Sequence, residues 1–255
     1  TVNSPSNNTN TSNTSVSFNI TATDANLTSC DIYLDGISNQ SNSSVVNNTP
    51  TIFTITGINQ GQHTWNATCY DQAGNSNSTL NRTFTVDTTA PVITILGNNP
   101  ETVEAGTSYT DAGATAEDSY DGDLTSVMGT ANPVDTNIVG TYTVTYTVAD
   151  TSGNVATAIR TVEVVDTTAP VIIILRDNPE TVEAGSTYTD AGATASDSFD
   201  GDLTAFISTT SDVDTSVVGT YSVIYSVSDS SGNSDTETRT VIVVDTTAPE
   251  IIILG

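Results

Sequence analysis

The residues best suited to chemistry in this sequence are carboxylates that recur at fixed places. Two acidic loops, EDSYDGDLT and SDSFDGDLT, carry aspartates two or three residues apart around a glycine. Single aspartates also recur in the phrase Asp-Thr-Thr-Ala-Pro and in an Asp-x-x-Gly-Asn turn. Hard oxygen ligands at this spacing suit calcium, which takes about six to eight oxygens, although the frame is not that of an EF-hand loop.

Catalysis finds little support in the sequence. The one histidine, His63, opens an alternating stretch, so we expect it at the surface rather than as a general base. The chain shows no nucleophile motif, phosphate-binding loop or Cys/His metal cluster. The sequence therefore predicts that the protein is not an enzyme.

The charge balance restricts the partners. The chain has 30 acidic residues, four arginines and no lysine, for a formal net charge of −26. Such a chain repels nucleic acid and anionic membranes and attracts divalent cations; the alternative is that the acidity only keeps the surface solvated. No run of about 18 apolar residues is present, so we expect no membrane insertion. No leader precedes Thr1, and we expect a segment of a longer or processed protein.

The chain is organised as a tandem array. The phrase Val-Asp-Thr-Thr-Ala-Pro begins at Val86, Val165 and Val244, with a step of 79 residues. The two segments between the copies align without gaps and are identical at about two-thirds of their positions. Proline stiffens a chain and cannot donate in a central strand, so we interpret the phrase as a linker. The predicted domains are residues 1–86, 87–165 and 166–244, followed at 245–255 by a linker and one strand.

Each predicted domain alternates apolar and polar residues over short stretches. In the first domain these stretches begin at Val16, Cys30, Thr51, His63 and Leu80. In the second, one strand face carries Tyr142, Val144, Tyr146 and Val148. Short period-2 runs separated by regular turns predict an antiparallel sandwich of immunoglobulin-like type. The predicted fold class is all-β, with tandem immunoglobulin-like β-sandwiches in an extended array.

The two cysteines, Cys30 and Cys69, fall on neighbouring antiparallel strands of that sandwich, which makes a disulfide geometrically plausible. The bridge would close a loop of about 39 residues and stabilise the domain by roughly 4 kcal/mol in the entropy model. The alternative is two buried free thiols. A disulfide indicates an oxidising, extracellular setting.

Acceptors for N-linked glycans, Asn-x-Ser/Thr, occur in the first domain and in neither repeat. Three of them, Asn19, Asn66 and Asn81, fall on strand faces assigned to solvent, which a glycan requires. The alternative is a low-complexity polar surface. We predict glycans at several of the acceptors Asn7, Asn10, Asn13, Asn19, Asn26, Asn39, Asn42, Asn47, Asn66, Asn77 and Asn81.

The two repeats resemble a known family. Their segments DTTAPVI, NPETVEAG, YTDAGATA, DGDLT and GTYTVTYTV closely resemble the bacterial and archaeal immunoglobulin-like repeat named after an insecticidal crystal protein, related in outline to hyalin repeats. The first domain, with SCDIYLDG and GQHTWNATCYDQAGN, is similar to a different immunoglobulin-like repeat of prokaryotic surface proteins, archaeal ones in particular. The resemblance implies a β-sandwich used as a stalk or adhesion module of secreted and cell-surface proteins, without catalytic residues.

The sandwich topology predicts where the carboxylates meet. The linker, one loop and one turn share an end of an immunoglobulin-like sandwich. Such crowding is repulsive unless a cation bridges it, so we hypothesise calcium at the junctions, stiffening the array as ions do between cadherin-like domains. The alternative is that these aspartates cap turns. The expected ligands are Asp87, Asp118, Asp121, Asp123 and Asp150 at the first junction, and Asp166, Asp197, Asp200, Asp202 and Asp229 at the second.

The two ends of the chain differ. The last segment, PEIIILG, reads as the first strand of a further repeat, whereas the first domain keeps only the tail of such a strand. A solitary apolar strand should pair with something. In one interpretation the array continues covalently. In the other, a head-to-tail homopolymer forms because the next copy's first domain accepts a donor strand made of Glu250, Ile251, Ile252, Ile253 and Leu254.

Together these features predict a structural role. The expected protein is a glycosylated, acidic, extracellular subunit of a pilus-like cell-surface filament or a stalk, which contacts copies of itself or other cell-surface components. The alternative is an adhesin or a carbohydrate-binding accessory module of a secreted protein. Sugar binders expose aromatic platforms, and the single tryptophan, Trp65, falls on the predicted core face.

Overall fold

The computed structural model describes residues 2–252; about half of these residues lie in β-strands, and the helical elements among them are two short 3-10 turns. The described residues divide into two compact units. The first contains the residues up to Asn99 together with Asp111–Pro133 and Thr143–Thr161. The second contains Pro100–Thr110, Val134–Tyr142 and the residues from Val162 on. Within the described part of the chain, no helix has the length and hydropathy needed to cross a membrane.

The first sandwich consists of two mainly antiparallel sheets joined by an aromatic core. Phe18 packs edge-to-face against Trp65, with ring centroids 4.9 Å apart, and against Phe84 at 5.8 Å. One sheet has the order β1-β3-β6 and the other β2-β9-β7-β4-β5, with β8 paired to β7. The strands are β1 (Val2–Ser4), β2 (Thr9–Thr11), β3 (Val16–Thr21), β4 (Leu27–Leu34), β5 (Ile37–Asn42), β6 (Pro50–Ile55), β7 (Gly61–Asp71), β8 (Ser76–Ser78) and β9 (Arg82–Val86).

The second domain, which is the first of the two repeats, has fewer strands than the first domain. Its sheets have the orders β10-β12-β13 and β11-β16-β15-β14, and a 3-10 turn at Thr125–Val127 follows β13. The strands are β10 (Val92–Ile95), β11 (Glu101–Glu104), β12 (Ala114–Asp118), β13 (Gly122–Asp123), β14 (Gly129–Ala131), β15 (Gly140–Ala149) and β16 (Val155–Val165).

The third domain, which is the second of the two repeats, has the same topology as the second domain. Its sheets have the orders β17-β19-β20 and β18-β23-β22-β21, and a 3-10 turn lies at Thr204–Phe206. The strands are β17 (Val171–Ile174), β18 (Glu180–Glu183), β19 (Ala193–Asp197), β20 (Gly201–Asp202), β21 (Ser208–Ser211), β22 (Gly219–Ser228) and β23 (Ser234–Val244).

Period-2 alternation accounts for the cores. In β15 the residues Val144, Tyr146 and Val148 are buried, while the threonines between them are exposed or half-buried. This is the inward face that the sequence predicts, and β22 repeats it with Val223, Tyr225 and Val227. The predicted fold class, all-β with tandem immunoglobulin-like sandwiches, is therefore confirmed.

The first strand of the first domain has three residues, one fewer than its counterpart in each repeat. The sequence predicts only the tail of a strand there, because the segment lacks an apolar run. In the structure β1 pairs antiparallel with β3 and β2 runs parallel to β9, just as β10 pairs with β12 and β11 with β16. Strand pairing is made by backbone groups, so an edge strand of polar residues can form without that run.

Candidate functional site

Eight of the predicted aspartates lie in two clusters of matching composition. The first carboxylate cluster is Asp87, Asp118, Asp121 and Asp150, within the first unit; the second is Asp166, Asp197, Asp200 and Asp229, within the second unit. In the first, oxygens of Asp87, Asp118 and Asp121 all lie within 4.8 Å of one another. In the second, oxygens of Asp166, Asp200 and Asp229 do the same.

Strand alternation carries two of the four carboxylates in each cluster to the buried side. In β12, Ala114, Ala116 and Asp118 share the inward face, and all three are buried. Asp150 follows β15 on the same parity as its buried valines. Asp87 comes directly after β9 and is 1% exposed. The cluster is therefore built where the chain leaves three strands, β9 of the first sandwich and β12 and β15 of the next.

The innermost carboxylates each use one oxygen and leave the other without a partner. Asp118 Oδ1 accepts hydrogen bonds from the amides of Tyr120, at 2.7 Å, and Asp121, at 3.0 Å. Asp87 Oδ1 accepts one from the amide of Thr89, at 3.0 Å. The Oδ2 atoms of both Asp87 and Asp118 are buried and have no hydrogen-bond partner.

The other two carboxylates are held by the turn after β15. Thr151 donates to Asp121 from its amide, at 3.0 Å, and from its hydroxyl, at 2.7 Å. Asn154 donates to Asp150 from its amide, at 2.8 Å, and from its side chain, at 2.7 Å. The same side-chain amide lies 2.9 Å from the carbonyl oxygen of Asp87. Asn154 thus joins the turn to the linker.

The second carboxylate cluster has the same bonding pattern. Asp197 Oδ1 accepts from the amides of Phe199, at 2.7 Å, and Asp200, at 2.9 Å, and Ser230 donates to Asp200 from its amide and hydroxyl at 2.8 and 2.9 Å. Asn233 donates to Asp229 and to the carbonyl of Asp166. The Oδ2 atoms of Asp166 and Asp197 are again buried without a partner.

The electrostatic strain falls on the linker aspartates. Burial raises the pKa of Asp87, and the charges of Asp118, Asp150 and Asp121 raise it further, against the Thr89 hydrogen bond. Burial also raises the pKa of Asp166. For Asp229, burial acts in the same direction, but hydrogen bonds led by Asn233 outweigh it and lower the pKa.

Two predicted ligands in the acidic loops do not join the clusters. Asp123 accepts from the amide of Thr125 and Asp202 from that of Thr204, each at 2.9 Å, and both carboxylates are exposed. The hydrogen bonds from these threonines lower the pKa of both aspartates. Each of these aspartates forms a local turn with the threonine two residues on, at the start of a 3-10 turn.

Each linker is also held from its other side, a feature that the sequence analysis missed. Gln60 contacts the first linker, accepting from the Thr88 hydroxyl at 3.0 Å. At the second linker, Glu104 accepts from the amide and hydroxyl of Thr167, both at 2.8 Å. Glu183 does the same for Thr246 at the third linker. The repeated phrase Thr-Val-Glu-Ala-Gly was a signal for the two glutamates, whereas nothing marked Gln60.

The structure places Cys30 and Cys69 directly opposite each other on β4 and β7, joined by a disulfide with an S–S distance of 2.02 Å. His63, expected at the surface, is largely covered instead. Its Nδ1 lies 2.7 Å from Asp35 Oδ2 and its Nε2 lies 2.8 Å from the Asn59 carbonyl. Both ring nitrogens are therefore engaged in structural contacts, and the ring packs beside Phe84 with the ring centroids 5.4 Å apart.

Most of the glycan acceptors lie at the surface of the first sandwich. Asn19, Asn42 and Asn66 are half-buried. Two acceptors use the nitrogen that a glycan would modify: Asn10 donates to the Thr151 hydroxyl at 2.6 Å, and Asn66 donates to Asn81 at 2.7 Å. The exposed acceptors are Asn7, Asn10, Asn13, Asn26, Asn39, Asn47, Asn77 and Asn81.

The C-terminal segment that the sequence analysis treats as a strand is only partly described. Glu250, Ile251 and Ile252 do not lie in a strand, and Ile251 is 87% exposed. Ile253 and Leu254 lie outside the described residues. The aspartate of the third linker, Asp245, accepts from the amide of Thr247 at 3.2 Å.

Two buried arginines were also missed. Arg160 and Arg239 are fully buried, and each guanidinium is bonded to a tyrosine, an aspartate and backbone carbonyls. Alternation could have found them, because Arg160 shares the face of Val162 and Val164 in β16.

The sheet topology, together with the carboxylate clusters at the linkers, defines a protein of tandem immunoglobulin-like sandwiches. Residues 93–164 and 172–243 match the family described as bacterial surface protein, Ig-like domain, and residues 3–88 match the family described as bacterial Ig-like domain. The chain therefore belongs to the bacterial surface Ig-like family.

Named relatives agree with this assignment. Hyalin of Lytechinus variegatus is 36% identical over 205 residues, which are 75% of this chain and 38% of that protein. Hyalin of Strongylocentrotus purpuratus is 36% identical over 176 residues, 65% of this chain and 15% of that protein. Pesticidal crystal protein Cry22Aa of Bacillus thuringiensis is 39% identical over 121 residues, 46% of this chain and 16% of that protein. The predicted resemblance is confirmed, and the chain spans well under half the length of each relative.

Proposed function

We propose that this chain is a structural part of an extracellular surface protein, a spacer that holds sandwiches at fixed intervals in a stalk or filament. The observation that carries the proposal is the bonding of the second linker from both sides. Glu104 binds the Thr167 backbone and hydroxyl, and Asn233 binds the Asp166 carbonyl. A linker meant only to tether would be solvated and free of such contacts.

Membership of a bacterial surface family supports an extracellular place for the chain. The disulfide suits an oxidising compartment, and the eight exposed acceptors suit N-linked glycans, which we include in the proposal. Trp65 is 1% exposed within the core, so it offers no platform for a sugar ring. The one tryptophan therefore lends no support to a carbohydrate-binding module.

Electron microscopy of the purified chain tests the spacer role. We expect particles with regular spacing between sandwiches, and broadly scattered spacings would contradict the proposal. Head-to-tail assembly is a separate proposal, tested by deleting residues 245–255. Fibres that disappear on this deletion would support strand donation, whereas fibres that persist, or none in either sample, would count against it.

A further inference from the structure

The two carboxylate clusters contain buried oxygens that the protein leaves without partners. Asp87 and Asp118 are 1% and 6% exposed, and the Oδ2 atom of each has no hydrogen-bond partner. Buried polar atoms are almost always hydrogen-bonded, and a charged one without a partner is strongly destabilising. A ligand that accepts electron pairs from both atoms would remove that penalty.

The buried side-chain cations are engaged elsewhere. Among the described residues, the guanidiniums of Arg160 and Arg239 form ion pairs with Asp111, Glu180 and Asp190, which lie outside the clusters. Like charges at this distance repel strongly when they are buried. The clusters therefore combine concentrated negative charge with unpaired oxygens.

The hydrogen bonds around each cluster fix the carboxylates while leaving inner oxygens open. The Oδ1 atom of Asp118 is held by two amides, and that of Asp87 by the Thr89 amide. Thr151 holds Asp121. Pre-oriented carboxylates of this kind lower the cost of ordering a site when a metal binds.

The second carboxylate cluster repeats the arrangement of the first, although the two repeats differ at many other positions. About a third of the aligned positions differ between the two repeats, yet all four aspartates recur 79 residues later. Thr151 becomes Ser230, which keeps the hydroxyl donor. The same two atoms are unpaired, Oδ2 of Asp166 and Oδ2 of Asp197. Two sites with the same orphaned atoms point to the same ligand.

We propose that each carboxylate cluster binds one calcium ion, with Asp87, Asp118 and Asp121 as ligands in the first and Asp166, Asp200 and Asp229 in the second. Two oxygens bound to one calcium at about 2.4 Å lie at most about 4.8 Å apart, and the three oxygens of each cluster fall within that span. The donor set is all oxygen, which suits calcium rather than zinc. The remaining carboxylate of each cluster, Asp150 in the first and Asp197 in the second, adds a further oxygen beside the ion, and water completes the shell.

Titration calorimetry of the chelator-treated full chain with calcium tests the proposal. We expect two ions per chain, with affinity better than millimolar, and a higher melting temperature in calcium than in chelator. Asp118→Asn and Asp197→Asn keep an oxygen for the backbone amides but remove one charge. Each is expected to weaken one site at least about tenfold and leave the other unchanged.

The matched controls are Asp123→Asn and Asp202→Asn, the same change in the same loops at exposed aspartates outside the clusters. Both should retain two sites.

Should Asp118→Asn fail to fold, Asp121→Asn, at a half-buried position, takes its place. Fewer than two sites in the unsubstituted chain, or equal losses in the controls, would overturn the proposal. Equal affinity for magnesium would overturn the choice of calcium. The proposed spacer function does not depend on this result, because the calorimetric titration measures only calcium binding.

Discussion

Arg160 and Arg239 are charged side chains in the interior of the repeats. The guanidinium of Arg239 contacts Tyr225 at 3.1 Å, Asp190 at 3.2 Å and Glu180 at 2.8 Å, and it donates to the carbonyls of Leu175 and Gly192. A planar fork with five donors can satisfy all of these acceptors together, whereas an ammonium cannot. The arginine therefore ties two sheets and a loop around one buried charge.

Replacing that fork tests its contribution to stability. Arg239→Lys should lower the free energy of unfolding of the third domain by about 3 kcal/mol, because carbonyls and carboxylates are left buried without donors. Denaturant unfolding followed by tyrosine absorbance measures the change. The control is Arg176→Lys at an exposed position, which should change stability by less than about 0.5 kcal/mol. Similar losses in the two variants would show that the buried fork is not responsible.

At the scale of the element, the linker owes its order to side chains on both flanks. The Glu183 carboxylate accepts from the amides of Thr246 and Thr247 at 2.8 and 3.1 Å and from both hydroxyls at 2.8 Å. Glu104 makes the corresponding contacts with Thr167 and Thr168. A carboxylate that accepts several hydrogen bonds is favoured in its charged form.

These contacts predict a pH dependence. Hydrogen bonds led by the Thr167 amide lower the pKa of Glu104, and those led by the Thr246 hydroxyl lower the pKa of Glu183. A folded-state pKa below the unfolded value contributes stability that is present above the unfolded pKa and is lost as pH falls through the folded one. The stabilising contribution should therefore be complete at neutral pH and vanish in acid.

Glu104→Gln isolates this contribution. The variant should melt at a lower temperature than the unsubstituted chain at pH 7, and the difference should disappear at about pH 3. Glu163→Gln makes the same change at an exposed position of β16 and should leave the melting temperature unaffected at both pH values. A deficit of Glu104→Gln that persists in acid would mean that the loss comes from packing rather than from the charge.

Alternation and turn chemistry predicted much of this structure. The inward face of β15 followed from Val144, Tyr146 and Val148, and the shared end of the sandwich explains why Asp87 meets Asp118. What alternation could not supply was pairing between side chains distant in sequence, such as Gln60 with the first linker. Nor could it separate a cluster carboxylate such as Asp121 from Asp123 two residues away, because that depends on the direction in which each carboxylate points.

At the scale of the whole molecule, the sandwiches differ in what stabilises them. Domains of about 80 residues bury too little surface to be very stable without a staple. The first sandwich has the disulfide and the aromatic contact of Phe18 with Trp65. The repeats each have a buried arginine that bonds to a tyrosine, an aspartate and backbone carbonyls. We therefore expect reducing agents to act on the first sandwich and leave the repeats unaffected.

The one tryptophan makes this expectation measurable. Trp65 lies in the core of the first sandwich, so its fluorescence follows the unfolding of that sandwich. Reduction of the Cys30–Cys69 bridge, which closes a loop with a sequence separation of 39, should lower the free energy of this transition by about 4 kcal/mol. A chain with Cys30→Ala and Cys69→Ala should show a similar loss and no further response to reductant. Thiol titration shows whether the bridge has been reduced. If the fluorescence transition of the reduced chain is unchanged, the stability of the first sandwich comes from its aromatic core, because the disulfide then adds no measurable restriction to the unfolded chain.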